Sequence, residues 1–275
     1  MSMDPWNLAA SLATGFAAGL HSATWGMFKD APHEGFSWPT YLRSPVLSAL
    51  LAGLLGGFLD LDLSRSAPLA LLFGVTYGLE RALVEVYKTF LREEDQTKYA
   101  IPMQLSFRGR PVESRGLRLA LGALYVAGGG IVLLALHGLE ARGPALPRVL
   151  VALVAGSAGG WISAFGGAWK DAPVEGFSIL KFFRSPLIAF LYGLLLTSLT
   201  GSYVLIFLGS IGYTVATIET YKTFFFPNED RGKWTGKVPR FPELLRTRYR
   251  FVPLYVLLWV GILGVAISAL MASPR

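Results

Sequence analysis

Lys29, Asp30 and Glu34, with Arg43 shortly after them, recur in the same register as Lys170, Asp171, Glu175 and Arg184. The carriers are "FKDAPHEGFSWPTYLRSP" at 28–45 and "WKDAPVEGFSILKFFRSP" at 169–186. Paired carboxylates beside fixed cations are what a metal-bound phosphate or diphosphate requires, because a divalent ion takes carboxylate oxygens while Lys and Arg neutralise phosphate oxygens. On that reading Asp30, Glu34, Asp171 and Glu175 hold a metal ion, with magnesium the cofactor, and Lys29, Arg43, Lys88, Lys170, Arg184 and Lys222 bind the substrate.

The same residues have a structural reading that needs no ligand. Pro32 and Pro173 lack an amide hydrogen and would end or start a helix, and Gly35 and Gly176 permit a turn, giving an elbow near the membrane surface. Asp30 would then cap that helix and Glu34 would be a first-turn acid. In "RSP" the arginine would snorkel, the serine cap, and the proline open the next helix.

A second charged set lies in "EVYKTF" at 85–90 and "ETYKTF" at 219–224. Glu85 and Lys88, like Glu219 and Lys222, are three residues apart and share a helix face. Arg81 is spaced to pair with Glu85, but Val215 stands at the equivalent place, so Glu219 must use Lys222 or another helix. Ionisable groups inside apolar segments are functional candidates, and Glu85 and Glu219 are read as gating or ion-pair residues.

The elements that must position these groups follow from composition. Hydrophobic residues make up 53% of the 275-residue chain and charged residues 16%, with a mean hydropathy of +0.48. Soluble domains carry about 25% charge. Apolar segments fit to cross a bilayer fall at approximately 7–28, 45–60, 67–90, 116–138, 146–169, 186–202, 203–226 and 250–272. No basic region precedes the first, so it is expected to remain as a span rather than be a cleaved signal. The fold class is therefore an all-α integral membrane protein of about eight transmembrane helices.

Cysteine is absent, which excludes disulfides and thiolate chemistry, and His21, His33 and His137 are too scattered for a histidine metal site. There is no nucleophile elbow, HExxH or P-loop; "AGGG" at 127–130 lacks the Lys and Ser of a phosphate loop and is expected to kink its helix. The net charge is +7, and 20 of the 25 Lys and Arg flank the connections after segments one, three, five and seven. The positive-inside rule then puts the motif loops in the cytoplasm and both termini outside. The basic excess reads as topology and attraction to anionic lipid headgroups, not as a nucleic-acid surface.

The similarity extends beyond the motifs. Gly15, Ser22, Ala23 and Gly26 match Gly156, Ser163, Ala164 and Gly167 at an offset of 141, and 85–90 matches 219–224 at an offset of 134. Residues 1–140 and 141–275 are thus read as two four-helix repeats. An even number of spans inserts them in parallel, related by a pseudo-two-fold axis along the membrane normal. The glycine-rich first and fifth helices are expected to be central, and the loops at 91–115 and 225–249 to be solvated topology signals. The functional expectation is a transporter or channel for an ionic, anionic or phosphate-bearing substrate. The alternatives are a membrane enzyme acting on a lipid phosphate or diphosphate with a divalent cation, and a non-catalytic subunit of a membrane complex. The bilayer is the expected partner, and assembly as a homo-oligomer or larger complex is left open.

Overall fold

A computed structural model of the protein describes residues 4–227 and 232–272. Eight long helices occupy the positions of the eight apolar segments: α1 Pro5–Glu34, α2 Trp38–Phe58, α3 Ser66–Val86, α4 Arg115–Arg142, α5 Arg148–Glu175, α6 Ile179–Leu196, α7 Tyr203–Phe225 and α8 Leu244–Ala272. Six of them, all but α1 and α3, are long and apolar enough to cross a membrane. Among the described residues the only sheet is a hairpin of β1 Ser106–Phe107 and β2 Arg110–Pro111. Large apolar side chains stand exposed along α2, α4, α6 and α8, as at Leu54, Leu134, Leu180 and Leu257. A surface of that kind is made for lipid. These observations describe an all-α, multi-pass membrane protein. Residues 229–231 of the second "ED" loop, and with them Arg231 of the charge split, lie outside the described residues, as does Arg275.

The motif is one helix running into another through a glycine corner. Both α1 and α5 run through their proline, at Pro32 and Pro173, and the expected break at those prolines does not occur. The break comes at Gly35 and Gly176, with φ of +83° and +81°, a backbone region that favours glycine. Asp30 is therefore inside a last turn and caps nothing. The next helix begins at the serine of "GFS": Ser37 accepts from the Thr40 amide and Ser178 from the Lys181 amide, both at 3.4 Å. Pro45 and Pro186, expected to open that helix, lie well inside it. "AGGG" produces no break either, and α4 is continuous across it.

The "RSP" element has a packing role instead. A Cβ on Gly19 would strike the backbone of Ser44 and Pro45, and one on Gly160 would lie 2.6 Å from Pro186 Cα and Ser185 O. Gly15 meets Ser48 and Ala52 as Gly156 meets Gly193 and Ala189. Each glycine stripe thus fits α1 onto α2 and α5 onto α6 within its own half. This overturns the expectation that α1 and α5 are central.

The central contact belongs to α3 and α7. A Cβ on Gly78 would lie 2.6 Å from Leu208 O and 3.2 Å from Gly212 N, and one on Gly212 would meet Gly74 O. Tyr213 donates to Ala70 O across the same contact at 2.9 Å. Where water gives helices no hydrophobic drive to associate, such backbone approach supplies dispersion energy. Gly212→Val should consequently destabilise the protein by about 1–3 kcal/mol in a thermal melt in detergent. Gly166→Ala, at a position where a Cβ meets nothing within 4 Å, should leave the melt unchanged.

Candidate functional site

Because α3 and α7 meet closely, their charged ends arrive together beside the ends of α1 and α5. Lys88 Nζ is 3.6 Å from Glu85 Oε1 and Lys222 Nζ is 3.4 Å from Glu219 Oε1, the pairs expected from their spacing. Each glutamate also feels lysines on α1 and α5: Glu219 interacts electrostatically with Lys29, and Glu85 with Lys170 and Lys29. Arg81 acts on both glutamates. Its nearest carboxylate is not Glu85 but Glu80, whose Oε2 lies 2.9 Å from Arg81 Nε. Neighbouring positions on one helix align poorly, and neither Glu80 oxygen accepts a hydrogen bond although the residue is 1% exposed.

The two motifs, alike in sequence, have unlike surroundings. In the first, Trp234 Nε1 donates to Asp30 Oδ1 at 2.9 Å, and Lys233 Nζ lies 2.9 Å from Asp30 Oδ2 and 3.4 Å from Glu34 Oε1. The Tyr99 hydroxyl sits 3.2 Å from Glu34 and 3.0 Å from Glu94. Phe241 covers Gly35, and Phe251 packs on Phe36 and Tyr41 with ring centroids 5.7 and 5.4 Å away. This elbow is sealed by aromatic rings and bridged by a lysine.

The seal comes from the two long connections, which fold together rather than standing in solvent as expected. Ala100 N donates to Lys233 O at 2.8 Å, and Tyr99, Met103 and Trp234 form a small buried cluster. Burial pushes the Glu94 carboxyl up, but its bonds with Lys98 and Tyr99 and the Arg92 charge outweigh that and hold it below the usual carboxylate range.

The second elbow is open. A Cβ on Gly176 would meet nothing within 4 Å, and among the described residues Asp171 makes no hydrogen bond or ion pair. Glu175 is held by Lys181 at 3.0 Å and by the Gly232 amide at 2.8 Å. Here a cavity of about 420 Å³ lies between the end of α1, the elbow and the end of α7. Among the described residues its walls carry five cations, Lys29, Lys181, Arg184, Lys222 and Arg248, against three carboxylates, Asp171, Glu175 and Glu219. The surplus of two positive charges suits an anion. Four polar atoms on wall residues are buried without a hydrogen-bond partner: Thr223 Oγ1, Glu219 Oε2, Arg184 Nε and Arg248 Nε. Unsatisfied buried polar atoms are costly, but these four are themselves closed to solvent, so it is the charge on the walls that marks the cavity.

Of the substrate-binding residues read from the sequence, Lys29, Arg184 and Lys222 line this cavity; Arg43, Lys88 and Lys170 do not. Arg43 is exposed and reaches neither Asp30 nor Glu34, whereas Arg184 is half-buried with its guanidinium 5.9 Å from the Tyr221 ring centroid. Lys170 Nζ lies 3.7 Å from Met103 Sδ. The four expected metal ligands divide, with Asp30 and Glu34 at the sealed elbow and Asp171 and Glu175 at the open one. Among the described residues no three His, Asp or Glu side chains gather as a metal set.

Sequence reasoning missed Glu80, Lys233, Trp234 and Arg248. Glu80 did leave a signal, an acid beside Arg81 in an otherwise apolar run. Arg248 left none. It is 6% exposed, and its Nη1 donates at 2.8 Å to Phe28 O, the carbonyl that Pro32 leaves without its helical partner. Its guanidinium also stacks 4.3 Å from the Phe28 ring centroid. Compared with known proteins, the chain matches no family model, no curated protein and no solved structure.

The Phe28 carbonyl gives a sharp test. Arg248→Met should cost about 1–3 kcal/mol in a thermal melt, and Pro32→Ala, which restores the helical donor, should recover part of that loss. A double-mutant cycle with coupling under about 0.5 kcal/mol would show that the two residues do not share this carbonyl.

Proposed function

We propose that the protein is a membrane transporter that binds an anionic, phosphate-bearing substrate in the cavity at the second elbow. The observation that carries this reading is a cavity whose described walls hold five cations against three carboxylates. Lys29, Arg184, Lys222 and Arg248 attract and hold the anion. Glu219, paired with Lys222 and facing Lys29, is the group an anion displaces, and so the gate. Arg and Lys can both satisfy phosphate oxygens, Arg in fixed bidentate geometry and Lys as a point charge.

The architecture proposed with it has eight spans in two parallel repeats, residues 1–140 and 141–275, about a pseudo-two-fold axis. Supporting it are the matched glycine contacts at an offset of 141 and the packing of Gly78 on its own equivalent, Gly212. The basic loops put the motif end in the cytoplasm and the termini outside, with anionic headgroups as neighbours.

A membrane enzyme acting on a lipid phosphate is the second reading. It is favoured by one observation: a single open elbow, where a symmetric carrier would have two.

The asymmetry between the halves is the test. In purified protein titrated with phosphate-bearing anions, both soluble and lipid-linked, Arg184→Gln should weaken binding tenfold or more, about 1.4 kcal/mol. Arg43→Gln at the equivalent position should change it less than twofold. Equal losses from both would mean that the open elbow is not the site. Vesicle flux without chemical change of the anion separates transport from turnover.

A further inference from the structure

The cavity's walls say more about the anion than its charge. Phe182 lines the cavity and is the hub of a ring cluster leading out of it. Its ring centroid is 5.1 Å from Phe165, 5.6 Å from Phe177, 5.4 Å from Phe183 and 5.9 Å from Trp161. The outer members face away from the protein: Phe177, itself a wall residue, is 61% exposed, and Leu180 on the same turn 82%. At the first elbow Phe251 packs on Phe36 and Tyr41 and Phe241 on Gly35, and Trp38 is the exposed ring. Among the described residues the second elbow joins a basic cavity to an apolar exterior.

Resting on the reading of this cavity as an anion site, we propose that its occupant is a lipid with a net-anionic phosphate headgroup. The headgroup sits against Arg184, Lys222, Arg248 and Thr223, and the acyl chains stay in the bilayer along the aromatic face of the elbow. A cavity of about 420 Å³ holds a headgroup and not a whole lipid. Exposed aromatics at the headgroup level are where amphiphiles and interfaces meet. Gly167, on the cavity wall, has nothing within 4 Å of its Cβ position, which leaves room for the headgroup.

The experiment is a thermal melt of the full chain in a neutral detergent with four additives: dioleoyl phosphatidic acid, dioleoyl phosphatidylcholine, glycerol 3-phosphate and inorganic phosphate. Phosphatidic acid should raise the midpoint by about 5 °C or more at saturation, and the other three at equal concentration by much less. Gly167→Leu, whose Cβ meets nothing within 4 Å and whose side chain projects from the cavity wall, should abolish the shift. Gly166→Leu, one residue along and facing outward, should keep it. Arg184→Gln should lose the shift as well and serves if Gly167→Leu does not fold. A shift with glycerol 3-phosphate as large as with phosphatidic acid would overturn the lipid assignment and leave the anion site standing. A phosphatidic acid shift that survives in Gly167→Leu or Arg184→Gln would place the lipid on the outer belt and overturn the assignment too. No shift with any additive would overturn both.

Discussion

The close contact of α3 with α7 is the constraint on which the rest depends. With Gly74, Gly78, Gly209 and Gly212 between them, the helix ends bearing Glu85 and Lys88, and Glu219 and Lys222, are brought to one place. Four charges inside the apolar part of a protein are expensive unless each finds an opposite. They find it partly on their own helix, at i and i+3, and partly on α1 and α5. Bulkier side chains at the contact would move the glutamates out of reach of Lys29 and Lys170. The ion-pair set is in this sense a product of backbone packing remote from it.

The same arrangement explains how near-identical motifs come to have different environments. Each elbow is a helix, a glycine corner and a serine-capped helix, and its own sequence fixes nothing beyond that. What covers it comes from elsewhere in the chain. Trp234, Lys233, Phe241, Arg248 and Phe251 all follow α7, and together they lie on the end of α1 and its elbow. The connection after α3 gives α5 less: Trp169 Nε1 donates to Ser106 O, Gly109 approaches Pro173, and the corner at Gly176 has no neighbour among the described residues within 4 Å of its Cβ position. A duplicated motif with unequal cover yields one strut and one open cavity.

How much was legible in the sequence follows from where each cause lies. Helix positions were readable because hydropathy is local, and the matched glycines because equal packing leaves equal spacing. The Glu85 to Lys88 and Glu219 to Lys222 pairs were readable from helix periodicity alone. The continuation of α1 and α5 through Pro32 and Pro173 was not, nor was Arg248, which donates to Phe28 O from 220 residues away. Nor was the centrality of α3 and α7. Their glycines are fewer than those of α1 and α5, and a stripe of small residues says that something approaches closely without saying what. Arg43 and Arg184 are interchangeable as letters and unlike as residues, one in the open and one on a cavity wall.

On the proposed reading, that unlikeness has an electrostatic consequence. Lys222 and Lys29 both act on Glu219, and Lys29 also acts on Asp30, Asp171 and Glu85. An anion in the cavity competes with Glu219 for the same two lysines. Charge interactions are strong where water is excluded, so the competition is felt beyond the cavity wall. A Glu219 carboxylate that loses Lys222 still faces Arg81, and Arg81 acts also on Glu85 in the other half. The sealed elbow is then not idle. It fixes Asp30 on Lys233 and keeps the α1 end in place, so that Lys29 is presented to the open elbow and the response to the anion is carried by charges of both halves.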